Sequence, residues 1–145
     1  MDDKNQHQYV SELRTVVTRL IKKLRKESIS GQQLSLTERS TLALLQQHKQ
    51  LLPSELASME KITNQSMSQI LNHLLELAYI TRTDSQTDKR KVIISLTVKG
   101  EELLSRVRNE RDEWLTKAIE QTCSKQEQEL LKLAIIPLTK IIDFE

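Results

Sequence analysis

The stretch TDSQTDKRKVIISLTVKG, residues 83–100, decides how the rest of the chain is read. Its first half is a polar, charged loop. Its second half alternates, with Val92, Ile94 and Leu96 on one face and β-branched types dominating, which is a strand pattern of period two. The preceding YITRT alternates too, so the two runs with DSQTDKR between them read as a β-hairpin. Thr97 can then cap a new helix.

That hairpin is an interruption in a chain that otherwise reads as helix. The 145 residues fit one domain, and 37% hydrophobic with 29% charged residues is the composition of a globular protein with a core of its own. Only two Gly and two Pro are present, so long helices with few tight turns are expected, and an all-β fold is excluded. Aromatics make up 3%, which leaves aliphatic side chains to do the packing, including packing against a second subunit. The opening MDDKNQHQ lacks the basic and apolar regions of a secretory signal, and no apolar run approaches the roughly 18 residues that span a bilayer, so a cytoplasmic protein with no membrane partner is expected. A single cysteine, Cys123, excludes a disulfide framework and a multi-cysteine metal site; it reads as a small half-buried residue near a helix end.

Outward from the hairpin, helical spacing governs. Residues 8–27 set Val10, Leu13, Val17, Leu20 and Leu24 on one stripe of an amphipathic helix with a basic end, and ESISGQQ after it reads as a linker. A second helix opens at SLTERS, capped either by Ser35 with Glu38 in a capping box or by Thr37, and runs to about His48 with Leu42 and Leu45 inward. Pro53 suits the first position of a short third helix. Thr63 or Asn64 caps a fourth, in which Met67, Ile70, Leu71, Leu74 and Leu77 keep helical spacing. The third and fourth helices, joined by a turn of about four residues, form a helix-turn-helix by spacing.

Beyond Thr97 the pattern runs to about Thr122, roughly 25 residues and nearly 40 Å at 1.5 Å per residue, a length that usually bridges bodies. Ser124 and Glu127 have capping-box spacing for a last helix, in which Pro137 predicts a kink or a stop. The segment from Leu130 to Ile142 is too apolar all round to face solvent alone.

Charge is local. From Arg82 to Lys99 five basic residues face two acidic ones, whereas residues 101–145 carry ten acidic against seven basic. A basic patch on a near-neutral body suits a polyanion bound at one place.

A helix-turn-helix followed at once by a hairpin is a winged helix. In such a unit the start of the second helix meets base edges in the major groove, which here nominates Thr63, Asn64, Gln65, Ser66, Ser68, Gln69 and Asn72. Amides and hydroxyls can bond bases or phosphates, and no acidic residue lies between Ile62 and Leu75 to repel them. His73 joins this set as a contact to the DNA backbone or as a bystander.

The residues LT at 36–37, LA at 56–57, the D-x-R of Asp88 and Arg90, and LTVKG at 96–100 together resemble the MarR family of bacterial winged-helix transcription regulators. The resemblance implies a mainly α fold with a small β-hairpin, in one domain spanning 1–145. A winged helix-turn-helix lobe at 30–100 would be flanked by dimerisation helices at 8–27 and 101–145. It places Arg90 in the minor groove, steadied by Asp88, with Arg82, Lys89 and Lys91 on phosphates. A homodimer joined through Val10, Leu13, Val17, Leu130, Ile135, Ile136, Leu138 and Ile141 would space two recognition helices on double-stranded DNA, working as a repressor on a pseudo-palindromic operator. The resemblance also implies a cleft between frame and lobe for a small aromatic or anionic effector, and no cofactor. One position departs from the family: Ala78 stands where Gly is common, which predicts either a strained residue or a helix end closed differently.

Two other classes compete with this reading. An enzyme would need a phosphate loop, a nucleophile elbow or metal spacing, and the chain has none; His7, His48 and His73 are scattered. A winged helix used only to bind protein differs from a DNA binder in lacking a steep salt dependence.

Overall fold

A computed structural model describes residues 2–145. Six helices and three short strands follow in the order α1 (Asp3–Glu27), α2 (Leu36–His48), β1 (Gln50–Leu51), α3 (Pro53–Glu60), α4 (Asn64–Glu76), β2 (Ile80–Asp84), β3 (Val92–Leu96), α5 (Val98–Thr122) and α6 (Lys125–Ile142). None of these helices is long and apolar enough to cross a membrane.

The helix starts are set by side chains that satisfy otherwise unpaired N–H groups. Ser35 and Glu38 form a reciprocal capping box on α2, so Ser35 rather than Thr37 is the cap. Thr63 caps α4, Thr97 caps α5, and Ser124 with Glu127 boxes α6. Pro53 opens α3, where Glu55 Oε1 accepts the Leu52 N–H at 2.9 Å.

The core lies in the middle of the chain. Leu42 and Leu45 of α2, Leu56 of α3, and Met67 and Leu74 of α4 are almost wholly buried, and Ile94 closes the cluster from the sheet. Leu103 and Val107 of α5 join it, so the first turns of the long helix belong to the same core as the helix-turn-helix. By contrast no described residue of α1 or α6 is buried.

Two details depart from the sequence reading, and a third narrows its alternatives. The hairpin is part of a three-stranded antiparallel sheet in the order β1-β3-β2, because Gln50 and Leu51 pair with Ser95 and Ile94 on the free edge of β3. Two residues are too few to show a period. The segment ESISGQQ is not a loose linker: a 3-10 turn at Ile29–Gly31 packs on α5, with Ser28 and Gly31 buried. Glu110 accepts both the Ser30 N–H, at 3.1 Å, and the Ser30 hydroxyl, while Arg111 Nε donates to Ser28 Oγ at 3.3 Å. Finally, Pro137 does not stop α6, which continues to Ile142. A proline removes one N–H from the ladder, and the turns on either side hold the helix together.

Ala78 is the strained alternative foreseen for it, at φ 63°. The end of α4 is a Schellman motif, with Tyr79 N–H on the Leu74 carbonyl at 3.1 Å and Ala78 N–H on the Leu75 carbonyl at 3.0 Å. The turn that feeds the hairpin thus keeps glycine geometry without glycine.

Candidate nucleic-acid interface

The helix α4 divides cleanly into two faces. Met67, Leu71 and Leu74 point into the core, and Asn64, Gln65, Ser66, Ser68, Gln69 and Asn72 are exposed on the other side. Thr63 is exposed as well but partly committed: its Oγ1 accepts the Ser66 N–H at 3.0 Å and donates to Ser66 Oγ at 3.0 Å. The structure therefore brings the nominated residues together as one acid-free strip of amides and hydroxyls. His73 lies at the edge of this strip, half-buried, with Nδ1 bonded to Oε2 of Glu38 on α2.

The wing rises beside this strip. Strands β2 and β3 pair from Ile80↔Leu96 to Asp84↔Val92. Its tip is closed by the Ser85 N–H on the Lys91 carbonyl at 2.9 Å and the Lys91 N–H on the Asp88 carbonyl at 3.0 Å. The buried Ser85 hydroxyl accepts from the Thr87 and Asp88 N–H groups at 3.3 Å. Asp88 Oδ1 accepts the Arg90 N–H at 3.1 Å and Arg90 Nε at 3.4 Å, which fixes the turn and aims a guanidinium that is 93% exposed. Arg82, Lys89 and Lys91 are exposed around it. The fifth cation of this stretch is spent elsewhere: Lys99 Nζ donates to the Leu77 carbonyl at 2.9 Å and lies 5.1 Å from the Tyr79 ring centroid.

Gly100 explains how the wing is pinned to the body. A Cβ at this position would lie 2.2 Å from the Tyr79 carbonyl oxygen, so the start of α5 can press on the turn after α4 only without a side chain. Thr97 Oγ1 donates to the Ala78 carbonyl at 2.6 Å across the same junction.

A cavity of about 450 Å³ opens between α2 and α5. Leu42, Leu103 and Val107 give it an apolar wall, and Arg39, Arg108 and Arg111 give it charge. Arg39 is only 9% exposed, lies against Gly31, and leaves Nε and Nη1 without a hydrogen-bond partner among the described residues. Burial, with Arg111 and Arg25 nearby, pulls its pKa down. Nothing in the local sequence pattern marks this arginine, which looks like any exposed position of an amphipathic helix.

The fold and this interface define a winged helix-turn-helix protein. A family model described as "MarR family" matches residues 32–91, from just before α2 to the tip of the wing. It is 29% identical over 133 residues to an uncharacterized HTH-type transcriptional regulator of Mycobacterium bovis, covering 92% of each chain. A crystal structure from Pseudomonas aeruginosa, of a protein described as a transcriptional regulator, superposes with a TM-score of 0.82 at 28% identity and 100% coverage of both chains. A mutant of S. aureus MepR bound to an oligodeoxyribonucleotide shares the fold, with a TM-score of 0.72 at 21% identity over 93% of this chain and 98% of that one.

Proposed function

We propose that the chain is a DNA-binding transcription regulator that acts in the cytoplasm as a homodimer, repressing by occupying a pseudo-palindromic operator. The observation that carries the reading is the acid-free, exposed polar face of α4 standing beside a wing whose Arg90 is aimed outward by Asp88. Amide side chains at the start of such a helix can read adenine edges bidentately, while the arginine suits a narrow, A·T-rich minor groove. Arg82, Lys89 and Lys91 add salt-sensitive phosphate contacts.

Two further parts complete the proposal. The exposed apolar stripes of α1 and α6, including Val10, Val17, Leu130, Ile135, Ile136, Leu138 and Ile141, with Leu13 half-buried beside them, fit a second copy of the chain. Such a frame would hold two recognition helices about one DNA turn, roughly 34 to 36 Å, apart. The cavity under Arg39 then serves a small aromatic or anionic effector, since its unpaired guanidinium N–H groups need an acceptor and its walls are apolar. An effector seated there would release the operator by favouring a different spacing of the two lobes.

Selection of bound sequences from random double-stranded DNA tests the reading as a whole. The expected result is a palindromic motif with half-sites one helical turn apart, bound with an affinity that falls steeply with salt. Salt-independent retention of no particular sequence would overturn it.

A further inference from the structure

Among the described residues, one side-chain hydrogen bond joins the recognition helix to another helix of the lobe. His73, in the third turn of α4, bonds through Nδ1 to Oε2 of Glu38, 35 positions earlier in the chain. Glu38 lies in the first turn of α2 and is only 8% exposed. Its other oxygen, Oε1, accepts the Ser35 N–H at 2.9 Å as half of the capping box. One carboxylate thus secures both the start of α2 and the flank of α4. Burial pushes the Glu38 pKa up, but the hydrogen bonds from Ser35 and His73 outweigh it and the net direction is down, so the group is an anion near neutral pH.

An anionic acceptor at Nδ1 dictates what the other ring nitrogen can do. Nδ1 carries the proton in the neutral ring as well as in the charged one. Nε2 makes no hydrogen bond among the described residues, and the His73 side chain is 44% exposed. Gln69 and Ser66, one and two turns earlier, line the same shallow groove, so His73 continues the DNA-facing strip toward its edge.

We infer that Glu38 is a positioning residue for DNA binding: it holds His73 with Nε2 presented to a backbone phosphate, which makes DNA affinity proton-linked. This rests on the DNA-binding reading above. With Nδ1–H committed to Glu38, a neutral His73 offers a phosphate only a lone pair, whereas the imidazolium offers an N–H donor and a positive charge. Binding therefore takes up a proton, and affinity rises as pH falls.

Glu38 is the ionisable group of α2 that meets the ring. On α3, Glu55 is held by the Leu52 N–H and Glu60 by Ser40. Lys61 follows α3, Arg82 and Asp84 lie on β2, and Glu76 is one turn on along α4; none forms an ion pair with His73 among the described residues.

The test is fluorescence anisotropy with a mixed-sequence double-stranded oligonucleotide at constant ionic strength, from about pH 8 to about pH 5.5. The wild type is expected to tighten about ten-fold more than His73→Gln over this range, the effect of one charge-assisted phosphate contact worth about 1.4 kcal/mol. His48→Gln should follow the wild type. Glu38→Gln keeps the capping box, which Gln also serves, yet should flatten the pH dependence toward that of His73→Gln, because no anion then holds the ring proton on Nδ1. Thermal melts at each pH check folding. If Glu38→Gln fails to fold, His73→Gln carries the test alone, its side chain being half exposed. A His73→Gln profile as steep as the wild type overturns the inference and leaves DNA binding standing. Absence of salt-sensitive binding at every pH overturns the DNA reading and this inference with it.

Discussion

The winged lobe and the helices α1 and α6 draw on the same aliphatic residues and end in opposite states. Leu42, Leu56 and Leu74 are at 0% exposure, while Ile135 and Ile136 stand at 63% and 64% and Ile142 at 80%. The lobe closes on itself because α2, α3, α4, the sheet and the start of α5 surround one point. The helix α6 finds no such enclosure within one chain, although its apolar side chains lie on nearly every side. Contiguous apolar surface of this kind is rare on a monomer and marks a surface that something covers. The lobe is thus a finished core and the frame is half of one, which the proposed homodimer completes.

That contrast is broken most forcefully at the frame. Replacing Ile136 with Asp puts a charge on the face proposed for a second copy, and dimer dissociation should rise by about three orders of magnitude, roughly 4 kcal/mol. Sedimentation at micromolar concentration should show a dimer for the wild type and a monomer for Ile136→Asp. Amide exchange should remain slow in α2 and α4 of both, since their core is complete without the partner. A monomeric wild type would remove the distinction between the two regions.

The next largest effect attacks the lobe and spares the frame. Gly100→Ala forces a methyl group into the space of the Tyr79 carbonyl, where the distance would be 2.2 Å, and backbone cannot yield as a flexible side chain can. The expected loss is about 3 kcal/mol of lobe stability, read from denaturant unfolding. An unchanged midpoint would mean that α5 does not press on the turn after α4.

Sequence patterns reported some of these features and were silent on others for a physical reason. Caps and helical stripes are local: Ser124 with Glu127, Thr97 before α5 and the period of α4 lie within a few residues of what they determine. The exposed strip from Asn64 to Asn72 and the Asp88–Arg90 turn are likewise local, so the geometry of the candidate interface was largely legible. Contacts across the chain leave no period. The His73–Glu38 bond, the packing of Arg39 over Gly31 beside Arg111, and the capture of Lys99 by the Leu77 carbonyl each join positions far apart. β1, at two residues, is invisible because its strand character comes wholly from Ser95 and Ile94 opposite.

A smaller effect separates binding from stability within the lobe itself. Arg90 bonds to Asp88 alone among the described residues and is 93% exposed, so Arg90→Ala should leave the melting temperature and the sedimentation of the protein unchanged. Affinity for the selected operator should drop about ten-fold, as expected for one lost groove contact. Equal binding by both proteins in a titration at fixed salt would dismiss the wing as a DNA contact.

The smallest change runs in the stabilising direction. Ala78 holds φ 63° at the end of α4, where an L side chain brings its Cβ too close to the following carbonyl oxygen and costs roughly 1–2 kcal/mol. Glycine removes that strain but adds freedom to the unfolded chain, so the two terms oppose and Ala78→Gly should gain about 0.5–1 kcal/mol. Equilibrium unfolding reads the sign directly. A gain confined to the lobe, with dimer affinity unmoved, would place the strain inside the finished core. A loss would mean that the Ala78 methyl group makes contacts worth more than the strain it brings, and that this junction is held by packing rather than by the backbone bonds of Tyr79 to Leu74 and Ala78 to Leu75.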